Sequence, residues 1–93
     1  MFVHTSIHYP RPQYEVDLIA SMHRFGAAVT GAPGLLHVAT LKDERSGRLV
    51  GLMVWASRKA WEAGIEPARA AVEHDDFGLW EEREPEVFLL DEV

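Results

Sequence analysis

The chain has 93 residues, room for one hydrophobic core and none for a second, so residues 1–93 are expected to form a single domain. Apolar residues make up 47% and charged residues 26%, a globular composition that excludes intrinsic disorder. Nine Lys plus Arg against fifteen Asp plus Glu leave a net charge of −6, the wrong sign for binding nucleic acid.

With no cysteine there is no disulfide, iron–sulfur ligation or thiol nucleophile, which fits a reducing cytoplasm, the expected location. Met1-Phe2-Val3-His4 lacks the cationic start of a leader, and no apolar run approaches the ~20 residues that span a bilayer, so no membrane partner is expected. The acidic residues Glu81, Glu82, Glu84, Glu86, Asp91 and Glu92, facing only Arg83, read as a solvated tail.

From Phe2 to Tyr9 the residues are β-branched and aromatic, and Pro10 and Pro12 end the run, which predicts a first strand. From Tyr14 to Thr30, Leu18, Met22, Phe25 and Val29 recur at helical spacing. Glu15 and Asp17 sit in the first turn, and Gly31 and Pro33-Gly34 supply the stop. Leu35 to Lys42 and Arg48 to Ala56 predict a hairpin across Asp43-Glu44-Arg45-Ser46-Gly47. Ser57 caps a second helix that Gly64 and Pro67 break, with a further segment from Pro67 to His74. Asp75 to Arg83 reads as irregular or one turn, and Val87 to Leu90 as the last strand.

The order β-α-β-β-α-β predicts an α+β, ferredoxin-like fold: an antiparallel sheet with two helices on one face. The third strand is apolar on both sides, Leu49, Gly51, Met53 and Trp55 against Val50, Leu52, Val54 and Ala56, yet helices cover only one face. The other needs a partner, and a second copy forming a homodimer through the sheet face is the simplest.

Two segments carry a family resemblance. Ala32-Pro33-Gly34-Leu35-Leu36 resembles the lead-in to the second strand of the antibiotic biosynthesis monooxygenase family of dimeric α+β barrels. Val54-Trp55-Ala56-Ser57-Arg58-Lys59-Ala60-Trp61 resembles its tryptophan–serine–alanine–aromatic signature. The resemblance implies a cleft between sheet and helices that Trp55 faces. It also implies either a cofactor-independent oxygenase acting on a small aromatic or quinol substrate, or a non-catalytic dimeric ligand-binding or stress-related module. The haem-degrading branch has an asparagine on the first strand where this chain has Thr5, Ser6 and Ile7.

His74, beside Asp75, is the expected general base, with a strand histidine as the alternative; its other reading is a histidine at a helix C-terminus. Trp55, Trp61, Phe77 and Trp80 are the aromatics that can line a pocket for a flat substrate, or else pack the core, with packing the first reading for Trp61. His4 and Ser6 share a strand face and can add polar groups. No metal is expected: His4 and His8 stand ~13 Å apart along a strand, and no histidine pair has one-turn spacing on a helix as in zinc enzymes. Scattered glycines form no phosphate-binding loop, so no cofactor is expected.

Overall fold

The computed structural model describes residues 1–93. Its elements are β1 (Phe2–His8), α1 (Glu15–Ala27), β2 (Leu35–Lys42), β3 (Leu49–Trp55), α2 (Arg58–Gly64), α3 (Glu66–Val72), α4 (Phe77–Trp80) and β4 (Glu86–Asp91). The strands form one antiparallel sheet in the order β2-β3-β1-β4, a ferredoxin-like α+β fold. No helix is long and apolar enough to cross a membrane.

Helix α1 stops before the predicted Thr30 because the chain tightens there. Val29 and Thr30 donate to the carbonyls of Gly26 and Ala27, three residues back, and Gly31 takes a positive φ of 81°. The second helical region is two pieces as expected, joined at the buried Ile65, with Pro67 in the first turn of α3. Ser57 caps α2 by accepting from the Ala60 amide at 3.1 Å.

The two sequence segments that carry the family resemblance touch each other. Gly34 has φ 84°, its carbonyl accepts from the Ala56 amide at 2.7 Å, and a Cβ at Gly34 would stand 2.6 Å from that of Ala60. Glycine is required there twice over, for its backbone conformation and for its lack of a side chain.

Register assigns the two sheet faces. Phe2, His4, Ser6 and His8 of β1 pair with Trp55, Met53, Gly51 and Leu49 of β3, and Leu49, Met53 and Trp55 are buried under the helices. Two packed clusters form on this side. Phe2, Val29, Trp55, Trp61, Ile65 and Ala68 fill one end with Met53, and Leu18, Met22 and Leu49 fill the other. Each large side chain buried this way contributes ~1.5–3 kcal/mol relative to leaving it in water. On the opposite face no element of the chain packs over Val3, Ile7, Val50, Leu52 and Val54. Leu41 and Leu90 of that face stay 48% and 47% exposed.

The acidic stretch is not a uniformly solvated tail. Glu81 is only 3% exposed, and the half-buried Glu86 accepts a hydrogen bond from the Tyr9 hydroxyl. The cause is pairing that local sequence does not show. The Arg11 amide donates to the Trp80 carbonyl at 2.8 Å and the Glu82 amide to the Tyr9 carbonyl at 2.9 Å, which lays Glu81 against the end of β1.

Candidate functional site

Between the two packed clusters the helices do not close onto the sheet, and a cavity of about 330 Å³ remains, within the size range of small-molecule sites. Its floor is the helix-facing row of β1, His4, Ser6 and His8, with Gly51 and Met53 of β3 beside it. Met22 and Phe25 of α1 and Trp61 of α2 form the roof, and Arg69 of α3 and Phe77 of α4 also line it. Val87 and Leu89 of the edge strand line it while remaining exposed, so it opens along β4.

The polar row is ordered by hydrogen bonds on both histidines. The Trp61 indole Nε1–H donates to His4 Nδ1 at 3.0 Å. Indole is only a donor, so Nδ1 is the acceptor and the neutral ring carries its proton on Nε2. Burial, and secondarily the charge of Arg69, lower the pKa of His4 below its ordinary value of 6.5, which keeps the ring neutral at pH 7. Phe25 meets the same imidazole edge-on at 5.8 Å between centroids, and the Arg69 guanidinium lies 5.4 Å from the centroid of the Trp61 ring.

Two positions along, His8 Nε2 lies 2.9 Å from Ser6 Oγ, and its Nδ1 lies 3.1 Å from Glu81 Oε2. The other carboxylate oxygen, Oε1, accepts from the Tyr9 amide at 2.8 Å. A carboxylate is acceptor-only, so His8 Nδ1 bears a hydrogen; in the neutral ring Nε2 is then the acceptor and the Ser6 hydroxyl donates to it. Ser6 Oγ occupies space that only glycine at position 51 leaves free: a Cβ on Gly51 would stand 2.7 Å from it.

Of the candidates named from sequence, the cavity brings together His4, Ser6 and Phe77. Trp55 is fully buried in the core, outside the cavity lining, against Gly64, where a Cβ would approach its ring to 3.0 Å. Trp80 packs on Phe77 at 5.9 Å and does not line the cavity. The His74 side chain is 93% exposed, outside the lining, with Nε2 3.4 Å from Glu73. Asp75 does not orient it: that carboxylate accepts from buried Ser21 and from Arg24, both at 2.6 Å, and so ties the segment after α3 to α1. No three His, Cys, Asp or Glu side chains cluster as metal ligands.

Sequence reasoning set Trp61 aside as packing, left the strand histidine unspecified between His4 and His8, and missed Glu81 and Arg69. The two-residue alternation of His4, Ser6 and His8 was the available signal for His8, because it puts all three on one strand face. Glu81 had no local signal, since the pairing of residues 80–82 with 9–11 places it.

The fold is that of the antibiotic biosynthesis monooxygenases. Rv0793 from Mycobacterium tuberculosis superposes with a TM-score of 0.80 at 18% identity, over 99% of this chain and 94% of that one. A structure named antibiotic biosynthesis monooxygenase gives 0.73 at 18% identity over 100% and 99%. An anthrone oxidase-like protein gives 0.73 at 19%, with 95% of this chain matching 42% of that longer one. No protein-family model matches the sequence, and no curated protein matches it.

Proposed function

We propose that the protein is a cofactor-independent monooxygenase acting on a small aromatic or quinol substrate bound in the cavity between sheet and helices. The observation that carries this reading is the cavity itself: a mostly apolar space of about 330 Å³ with a row of oriented polar groups, His4, Ser6 and His8, along one strand. Apolar walls suit a flat ring, and the row suits its oxygen substituents. A substrate of this kind is its own electron donor. Deprotonation makes the ring electron-rich, dioxygen adds to a ring carbon, and that carbon ends as a carbonyl. The second oxygen atom leaves as water with two substrate hydrogens.

His4 supplies an Nε2–H donor for a substrate carbonyl or a developing oxyanion, because Trp61 occupies its Nδ1. The proton is taken by a histidine of β1 rather than by His74, which is solvent-exposed and does not line the cavity. Trp61 and Phe77 supply the aromatic contacts, Trp55 supports the core behind them, and Trp80 backs Phe77. A homodimer through the open sheet face completes the unit by covering Val50, Leu52 and Val54, and a cytoplasmic location belongs to the same reading.

The test is a thermal-shift screen against naphthohydroquinone, anthrone and naphthol, with oxygen uptake recorded for each compound that raises the melting temperature. The reading expects at least one stabilising compound to be consumed with oxygen faster than it autoxidises. Stabilisation with no uptake above autoxidation would make the protein a binding module instead.

A further inference from the structure

We infer that Ser6, His8 and Glu81 form a buried proton relay that serves as the general base of the cavity and ionises an acidic hydroxyl bound against Ser6. The inference rests on the oxygenase reading for the substrate's later fate, but not for the proton transfer itself.

The geometry is a continuous chain. Ser6 Oγ lines the cavity, His8 Nε2 stands 2.9 Å behind it, and Glu81 Oε2 stands 3.1 Å from His8 Nδ1. Both inner members are removed from solvent, with His8 at 9% and Glu81 at 3% exposure. A carboxylate is costly to bury unless its lone pairs are satisfied, and here they are, by His8 and the Tyr9 amide. Phe77 of α4, at 6.4 Å between ring centroids, and Leu49 across the ladder on β3 also stand beside His8 and carry no charge. The charge facing its imidazole from this network is therefore that of Glu81. Position 51 is glycine, and any larger residue would displace the hydroxyl that begins the chain.

The transfer balances without a co-reactant. The substrate O–H bond breaks and its proton passes to Ser6 Oγ, while the Ser6 proton passes to His8 Nε2. The electron pair stays on the substrate oxygen as a phenolate, and Glu81 compensates the imidazolium. His4 cannot take this role in its observed state, because its Nδ1 is occupied by Trp61 and its Nε2 bears hydrogen. The site then takes phenols, naphthols and hydroquinones: molecules with a hydroxyl for Ser6 and a face for Trp61 and Phe77.

The probe is para-nitrophenol, whose phenolate absorbs visible light, titrated into the full-length protein at a pH where the free phenol is mostly neutral. The expected result is a bound phenolate, with the ratio of ionised to neutral probe raised about tenfold, one pKa unit, over solution. Ser6→Ala, His8→Gln and Glu81→Gln should each bind the probe in its neutral form. Ser6→Ala alters least and keeps the test valid if a histidine or carboxylate variant fails to fold. Neutral probe bound to the wild type, phenolate undiminished in Ser6→Ala, or no binding would overturn the relay. Bound phenolate in the wild type, lost in the variants, without oxygen uptake on any quinol would leave the relay standing and overturn the oxygenase reading alone.

Discussion

Glu81 Oε2 lies 3.1 Å from His8 Nδ1 across 73 positions of sequence, in a part of the chain whose composition is that of an acidic surface. The contact holds the end of β1, the turn of α4 and the approach to β4 together, and fixes which nitrogen of His8 faces the cavity.

Removing that carboxylate should therefore cost stability as well as function. Glu81→Ala leaves the His8 Nδ1–H and the Tyr9 amide without their acceptor. A buried orphaned donor costs ~1–3 kcal/mol, so the melting temperature should fall by roughly 5–15 °C for a domain of this size. Glu81→Gln retains a carbonyl acceptor and should lose less. Differential scanning calorimetry on both variants checks the order.

His4 predicts a pH dependence with a definite sign. Its folded pKa is lowered by burial and then by Arg69, below the ordinary 6.5 that the unfolded chain would show. Between the two values the unfolded state binds more protons, so stability rises with pH across that window and is lost on acidification below about 6.5. Melting curves of the wild type and His4→Gln between neutral and mildly acidic pH should diverge, with the wild type losing more on acidification.

Trp55 and Trp61 should separate stability from binding. Trp55 is fully buried, and Trp55→Ala should cost ~3–5 kcal/mol through the cavity it leaves. Trp61→Phe keeps an aromatic roof but deletes the bond to His4 Nδ1, freeing the imidazole to change tautomer. Naphthol affinity, measured as ligand-induced thermal shift, should weaken in Trp61→Phe by more than its loss of intrinsic stability accounts for.

The open sheet face should be a dimer interface. Val50 projects from it on the central strand β3, between Ile7 of β1 and Leu41 of β2. A carboxylate there would have to be buried unpaired in an interface between two sheets. Light scattering should give about twice 10.5 kDa for the wild type and the monomer mass for Val50→Glu. A wild-type monomer would contradict the interface.

Most of the fold was legible in the sequence because local rules govern it. The period of α1, the Ser57 cap, the Gly47 hairpin connection and the break around Ile65 each follow from residues a few positions apart. The site was legible only in part. His4 and Ser6 follow from strand alternation, but the network around them joins residues distant in sequence. Trp61 reaches His4 because α2 packs over β1, and Glu81 reaches His8 because segment 80–82 pairs with 9–11. His74 illustrates the converse: adjacency to Asp75 made it attractive, yet α3 ends at Val72, and the chain turns Asp75 inward to Ser21 and His74 outward.

The central claim, that dioxygen is incorporated into an aromatic substrate without a cofactor, is tested most directly by mass spectrometry of the product formed under heavy-isotope dioxygen. Purified protein with naphthohydroquinone or anthrone, with a chelator and no flavin, should yield product carrying one heavy oxygen atom, faster than a protein-free control. Product formation no faster than that control, for compounds that demonstrably bind, would contradict the claim.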